Sequence, residues 1–243
     1  MFIDIHTHTI RLYDERQRAL CRWTNPEELL GMWDDLGIAR GVVLPLVHHE
    51  IGEILQTNEN VLDIYNQYPD RIIPFCGVNP KLGLEEAKAE LRRCIEVYGV
   101  RGVKLNGARD GYYIDDLALS LPLIEMVAEA GLALAFHCGA NDFEKTHPYR
   151  IAKISERHPE MPILVVHMGG SGYPHLHDAV IDLAARYPSW YLIDSEADYR
   201  KVLQAVQTLG PERVCYGSDT PFCPMRFEWG LRQVVYQDLN SAD

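Results

Sequence analysis

The sequence has little of what marks proteins that bind nucleic acids or span membranes. Its 243 residues carry 23 Lys and Arg against 35 Asp and Glu, a net charge of −12, and no basic run. This balance argues against nucleic acid and anionic membrane surfaces as partners. The longest apolar runs are about seven residues, far short of the roughly 20 that a membrane helix requires.

Cysteine is also sparse, and its spacing argues against a cluster of thiolates. The six cysteines include no C-x-x-C pair, and several lie inside apolar runs typical of strands. This usage predicts reduced thiols in a cytoplasmic protein. An acidic residue as early as Asp4 argues against a signal peptide, and 47% apolar with 24% charged residues is typical of a soluble globular protein.

The chain opens with a short apolar strand pattern that ends in His6 and His8. Side chains alternate along a strand, so Asp4, His6 and His8 are predicted to share one face. Two imidazoles on one face can hold a metal ion between them. A second pair, His175 and His177, lies at a predicted helix start. Side chains at positions i and i+2 of a helix point in different directions, so this second pair is not expected to bind a metal ion.

Apolar runs and amphipathic stretches alternate along the rest of the chain. The runs predict strands over residues 41–47, 71–78, 100–105, 132–137, 162–167, 190–194 and 213–217. The stretches predict helices over residues 26–36, 60–68, 85–98, 117–130, 148–158, 175–187 and 198–209, and a last helix near Arg226. With the first strand, this alternation predicts a parallel (β/α)₈ TIM barrel in one domain, residues 1–243. An open doubly wound sheet is the alternative. It would normally carry a Gly-rich loop where this chain has His-Thr-His-Thr.

Polar residues follow the predicted strands, at the end where TIM barrels place their functional groups. They are His6, His8, Lys104, His137, His167, Asp194 and Asp219. Alternation on the fifth strand points Ala133, Ala135 and His137 into the barrel. The same reasoning directs His167 and Asp219 inward. Imidazole nitrogens and carboxylate oxygens are ligands that suit zinc or a similar first-row divalent ion.

Each of these residues also has a purely structural interpretation. Lys104 could pair with Asp4 across the barrel floor. Asp194 could cap a helix, and Asp219 could belong to a turn. Packing explains the joint placement of these residues less well than a metal site does. The non-enzymatic alternative is a structural zinc site, which would usually be closed by four ligands, often cysteines.

Five short motifs occur in order between residues 3 and 222. They are Asp4-Ile5-His6-Thr7-His8, Gly102-Val103-Lys104-Leu105, Ala135-Phe136-His137-Cys138-Gly139, Val165-Val166-His167-Met168-Gly169-Gly170 and Tyr216-Gly217-Ser218-Asp219-Thr220-Pro221-Phe222. As an ordered set they resemble the amidohydrolase superfamily, and more narrowly the amidohydrolase-related branch that includes aminocarboxymuconate-semialdehyde decarboxylase. The resemblance implies a metal-dependent enzyme with a TIM-barrel fold.

The resemblance also implies a set of ligands. One divalent metal, expected to be zinc with manganese or iron as alternatives, would bind His6, His8, His137 and Asp219. His167 would lie beside the metal-bound water. Other branches carbamylate the lysine of the fourth strand and bridge two metals through it, and Lys104 is at that position. A single metal is expected here, because a pair with Asp4 would keep the Lys104 amine protonated.

Hydrolysis is the first expectation for the reaction. A metal lowers the pKa of a bound water from 15.7 toward ~7, which would let that water attack an amide, lactone or ester of a small molecule. Asp219 would act as general base, and His167 would hydrogen-bond the water or the developing oxyanion. The alternative on the same site is non-oxidative decarboxylation of a small unsaturated or aromatic acid.

The substrate is expected to contact loops at the rim of the barrel. The residues predicted to contact it are Arg11, His48, Arg109, Tyr112 and Tyr113. Members of the superfamily usually continue past the last strand with a longer helical tail, whereas this sequence ends at Asp243. We therefore expect either a shorter helix or a partner chain, in a homo-oligomer, to close the barrel.

Overall fold

Eight parallel strands form a barrel in the computed structural model, which describes residues 2–9, 24–45, 51–139, 141–171 and 173–223. The strands are β1 (Phe2–Thr7), β2 (Ile38–Val43), β3 (Ile72–Gly77), β4 (Gly102–Leu105), β5 (Ala133–Phe136), β6 (Ile163–Val165), β7 (Trp190–Ile193) and β8 (Val214–Cys215). Each pairs with the next in sequence. The Ile5 N–H donates to the Tyr216 carbonyl at 3.0 Å, and the Asp219 N–H donates to the His6 carbonyl at 2.7 Å. These bonds bring the β8 end of the sheet against β1, and the predicted (β/α)₈ fold is confirmed.

Helices connect the strands, as the alternation predicts. They are α1 (Pro26–Leu36), α2 (Ile51–Gln67), α3 (Leu84–Glu96), α4 (Gly107–Asp110), α5 (Leu121–Glu129), α6 (Pro148–Arg157), α7 (Leu176–Arg186) and α8 (Tyr199–Leu209). Short 3₁₀ turns occupy Pro80–Leu82, Val166–Gly169 and Pro211–Arg213. In the ranges described, no helix combines the length and the apolar character needed to cross a membrane. The helix predicted near Arg226 lies outside the described residues.

The start and end of α1 show how local sequence sets these boundaries. Pro26 takes the first helical position, where its missing N–H costs no hydrogen bond. The Asn25 N–H donates to the Glu28 carboxylate at 3.0 Å, which satisfies a free backbone donor at the helix start. Gly37 ends the helix with a φ of 71°, a left-handed conformation that glycine adopts without steric cost.

Two apolar layers follow the alternation of the strands. On β5, Leu134 and Phe136 pack in the outer layer between sheet and helices. Ala135 instead joins Val166 and Ile193 in the barrel interior. Phe136 is fully buried, which by transfer data is worth about 1.5–3 kcal/mol. The barrel interior is therefore a packed core below its rim.

Strand β1 departs from simple alternation. Its register against β2 shifts between Asp4 and Thr7, and Ile5 packs against the barrel-interior cluster. The Asp4 carboxylate accepts hydrogen bonds from the backbone N–H of Ser218 at 3.0 Å and of His6 at 3.2 Å. The predicted pair between Asp4 and Lys104 is therefore wrong, because the irregular register directs Asp4 to backbone donors instead.

Candidate metal centre

A cavity of about 320 Å³ opens at the carboxyl end of the strands. It is lined by His6, His8, Lys104, His137, His167 and Asp219, together with Pro45, Asn106, Arg109, Asn141, Ser171, Glu196 and Phe222. The fold thus brings all six residues of the predicted metal and lysine site together, from positions spread over the whole chain. The volume lies near the lower bound of pockets for small molecules, about 300 Å³.

The imidazoles of His6 and His8 both face the same carboxylate oxygen. Asp219 Oδ1 lies 3.2 Å from His6 Nε2 and 3.4 Å from His8 Nε2. His8 Nδ1 lies 3.0 Å from the Leu44 carbonyl, and since a carbonyl only accepts, Nδ1 carries the proton. In the neutral form of His8, the lone pair on Nε2 then faces a carboxylate oxygen. Such an arrangement is repulsive without a cation between the two atoms, and it fits a metal ion.

Two further histidines complete the group. The ligand atoms of His6, His167 and Asp219 all lie within 4.8 Å of one another. The ring of His137 lies 5.0 Å from that of His167. His137 Nε2 is buried and has no hydrogen-bond partner among the described residues. A buried polar atom left unsatisfied costs about 1–3 kcal/mol, so this nitrogen also fits a ligand for a bound ion.

Burial keeps the imidazoles of His6, His137 and His167 neutral. Removal from water lowers the pKa of His6 and His137 well below 6.5, and the nearby Lys104 lowers the pKa of His6 further. Burial likewise lowers the pKa of His167. A neutral imidazole has one free nitrogen lone pair, which is the form that binds a metal or accepts a proton.

His167 reaches the cavity by a route that alternation does not predict. Leu164 and Val166 face the barrel interior and Val165 faces the helices, so regular alternation would send His167 outward. Instead His167 and Met168 adopt left-handed backbone conformations, with φ of 59° and 45°. This turn points the imidazole inward. The predicted inward position is correct, but the alternation argument that led to it is wrong.

Lys104 lies in the cavity floor beside a candidate ligand. It is 5% exposed, and its Nζ lies 3.5 Å from His6 Nε2. Burial lowers the pKa of Lys104 from 10.5 to about 8, against the opposing effect of Asp219. Lys104 and Asp4 form no ion pair in the described ranges. The ammonium form nevertheless dominates at pH 7, since that pH is below this pKa.

We expect one metal ion per chain at pH 7, because the Lys104 ammonium repels a second cation in the cavity. Intact mass and elemental analysis after incubation with excess metal and bicarbonate measure this directly. At about pH 9 the free amine becomes accessible to carbon dioxide, and a carbamate with a second ion should appear in wild type but not in Lys104→Met. Two ions per chain at pH 7 would contradict the expectation.

Of the residues predicted to contact the substrate, Arg109 lines the cavity, whereas Tyr112 and Tyr113 do not. Tyr112 is 2% exposed and does not line it. The Tyr113 hydroxyl lies outside the cavity and donates to Glu144 Oε1 at 3.1 Å. The structure therefore corrects the prediction that these two tyrosines contact the substrate. Tyr112 is buried away from the cavity, and Tyr113 is held by Glu144 outside it. Arg11 and His48 lie outside the described residues.

The loop after β7 supplies residues that the sequence analysis missed. Ser195 is fully buried, and its Oγ lies 2.8 Å from His6 Nδ1 and 3.1 Å from His167 Nδ1. Glu196 lines the cavity and accepts hydrogen bonds from the Ser171 hydroxyl and the Cys223 thiol. The neighbouring Asp194, which the sequence did indicate, instead accepts a hydrogen bond from the Gly217 N–H at 2.9 Å and so joins the segments that follow β7 and β8.

Solved structures share this fold over nearly the whole chain. An uncharacterised TIM-barrel protein from Bordetella bronchiseptica is 20% identical, with a TM-score of 0.76 over 96% of this chain and 90% of its own. A 5-carboxyvanillate decarboxylase from Sphingomonas paucimobilis is 14% identical, with a TM-score of 0.74 over 96% and 92%. A dihydroxybenzoic acid decarboxylase from Polaromonas sp. JS666, with bound manganese and the inhibitor 2-nitroresorcinol, is 16% identical, with a TM-score of 0.71 over 96% and 91%. At these identities the likeness establishes the fold alone.

Family membership follows from the sequence itself. No curated protein matches this chain in sequence. A family model described as Amidohydrolase matches residues 3–239, a range that includes every residue lining the cavity. The ordered motifs, the (β/α)₈ barrel and the cluster of histidines and aspartate at its rim agree with this match. The chain belongs to the amidohydrolase family of enzymes.

Proposed function

We propose that the protein is a metal-dependent decarboxylase of a small aromatic or unsaturated acid. One observation carries the proposal. Side chains that can bind a metal ion converge in a small cavity that also contains the cationic side chains of Lys104 and Arg109. Asp219 and Glu196 also line the cavity, so it is a bound divalent ion together with the two cationic side chains that would favour an anionic substrate. The proposal puts decarboxylation ahead of hydrolysis, which was the first expectation from sequence, because several structural neighbours are named as decarboxylases of hydroxylated aromatic acids.

The ligands in this proposal are those that the sequence indicated. The metal would be held by His6, His8, His137 and Asp219. When bound, a zinc or manganese ion supplies positive charge that anchors a substrate oxygen and stabilises the negative charge that develops on it. Lys104 adds a fixed positive charge in the floor. Arg109, at the side of the cavity, can pair with a second oxygen of the acid through its planar guanidinium.

The reaction then needs a proton at the carbon. The bond between the carboxylate and the substrate carbon breaks, the electron pair stays on that carbon, and carbon dioxide leaves. The carbon takes up one proton, which solvent ultimately supplies. Asp219 Oδ1 faces the two imidazoles, which leaves Oδ2 to take up a proton and deliver it. His167, with its proton on Nδ1, would accept a hydrogen bond from a substrate hydroxyl through Nε2, take part in the transfer of that proton and hold the acid in place.

Decarboxylation should be detected directly with the metal-loaded protein in D₂O. The substrates to test are 2,6-dihydroxybenzoate, 5-carboxyvanillate and related hydroxylated aromatic acids. We expect one carbon dioxide per turnover, and one deuterium at the carbon that carried the carboxylate, measured by a coupled assay and NMR. Metal-stripped protein and the corresponding neutral carboxamides are the controls, and neither should react.

The same experiment can overturn the proposal. If no acid releases carbon dioxide while amides, lactones or esters are cleaved by the metal-loaded protein, the chain is a hydrolase. Hydrolysis uses the same residues, with Asp219 removing a proton from water instead of delivering one to carbon. Product analysis therefore separates two reactions that the cavity lining alone does not distinguish.

A further inference from the structure

One hydroxyl connects a candidate metal ligand to the candidate catalytic histidine. Ser195 follows β7 and is fully buried. Its Oγ lies 2.8 Å from His6 Nδ1 and 3.1 Å from His167 Nδ1. The two imidazoles are themselves neighbours, with ring centroids 5.1 Å apart. A single side chain therefore contacts the inner nitrogen of both rings.

The direction of these hydrogen bonds follows from their partners. The backbone carbonyl of Ser195 lies 3.3 Å from His167 Nδ1, and a carbonyl only accepts, so His167 Nδ1 carries the proton. An imidazole that binds a metal through Nε2 must carry its own proton on Nδ1, so His6 Nδ1 would also donate. A hydroxyl has two acceptor sites. The Ser195 Oγ can therefore accept from both rings at once.

We propose that Ser195 is a positioning residue that holds His6 and His167 as Nδ1–H tautomers, so that both Nε2 atoms face the cavity. Glu196 is the alternative partner for His167, but its Oε2 is 3.6 Å from Nδ1, which is too long for a hydrogen bond. Glu196 instead binds Ser171 and Cys223. Ser195 therefore fixes the tautomer and orientation of both imidazole rings, and removing its hydroxyl takes one hydrogen-bond acceptor away from each Nδ1.

The inference rests on the proposed function only in taking His6 as a metal ligand. It holds for decarboxylation and for hydrolysis alike. Partners that orient a metal-binding histidine typically change metal affinity or activity by about 10- to 100-fold when they are removed. We therefore expect Ser195→Ala to weaken zinc binding by that factor, while Ser195→Thr, which keeps a hydroxyl, retains most of the affinity.

The test uses zinc-loaded protein with ¹⁵N-labelled histidine. Long-range ¹⁵N–¹H correlation spectra should show His6 and His167 protonated at Nδ1 in wild type. In Ser195→Ala, both tautomers of His167 should appear, because only the longer bond to the Ser195 carbonyl remains. Ser155→Ala is the matched control, since Ser155 is also buried but bonds to Trp190 and Ile151. It should change neither the histidine spectra nor zinc affinity.

Two results would overturn the inference. One is a wild-type spectrum with His167 protonated at Nε2, which is decisive even if Ser195→Ala fails to fold. The other is a folded Ser195→Ala protein whose zinc affinity and histidine spectra match those of wild type. Neither readout involves a substrate. Failure of this inference is therefore distinct from failure of the proposed decarboxylation, which only product analysis tests.

Discussion

Replacing both His6 and His8 by alanine should give a folded protein that retains less than about a tenth of the wild-type metal. Both Nε2 atoms face Asp219 Oδ1, at 3.2 and 3.4 Å. Removing them deletes two candidate ligands, and loss of a supporting partner alone typically costs about 10- to 100-fold in affinity. The barrel core lies below the rim, so the fold should survive. Elemental analysis of purified protein measures the metal, and circular dichroism checks the fold.

The chain provides a matched control for this experiment. His175 and His177 form the other His-x-His pair, at the start of α7, and neither lines the cavity. The double variant His175→Ala/His177→Ala should keep wild-type metal content. Equal metal content in the His6→Ala/His8→Ala protein and in wild type would show that the ligands have been assigned wrongly.

The fold was predictable because its signal is distributed along the chain. Each strand and helix has its own local pattern, such as the Pro26 and Gly37 that bound α1. An error in one element leaves the alternation intact. Helix α2 begins at Ile51 rather than near residue 60, for example, and the predicted barrel is unchanged. Alternation also placed His137 correctly, because β5 is regular.

Strand alternation explained the placement of candidate site residues only where the backbone is regular, although His167 and Asp219 line the cavity as predicted despite left-handed backbone conformations. Asp4 was misplaced because the register of β1 shifts after it. The path of His167 was misjudged because two residues take left-handed conformations, which no periodic pattern reveals. Ser195 contacts a histidine 189 positions away. A serine after a strand has no local signal that distinguishes this contact from an ordinary loop residue, so the structure was needed to find it.

The second large effect is expected at His167. Its imidazole is buried in the cavity, and burial lowers its pKa so that it is neutral. Asparagine keeps a polar side chain of similar size but has no nitrogen that can exchange a proton near neutral pH. His167→Asn should therefore lose about 10²–10⁴-fold in kcat, the usual contribution of a positioned acid or base. His147→Asn is the matched control, because His147 stacks on Tyr149 and does not line the cavity.

The metal content of the variant shows whether the loss of kcat reflects a role of His167 on the substrate or a role as metal ligand. The ligand atoms of His6, His167 and Asp219 lie within 4.8 Å of one another, a spacing that also suits His167 as a ligand. If His167 acts on the substrate, His167→Asn keeps its metal and loses turnover, measured with whichever substrate reacts in the product assay. If His167 is a ligand, metal content falls together with kcat. Retained turnover with retained metal would contradict both roles. With metal measured beside kcat, one variant separates proton transfer from coordination, and we expect kcat alone to fall.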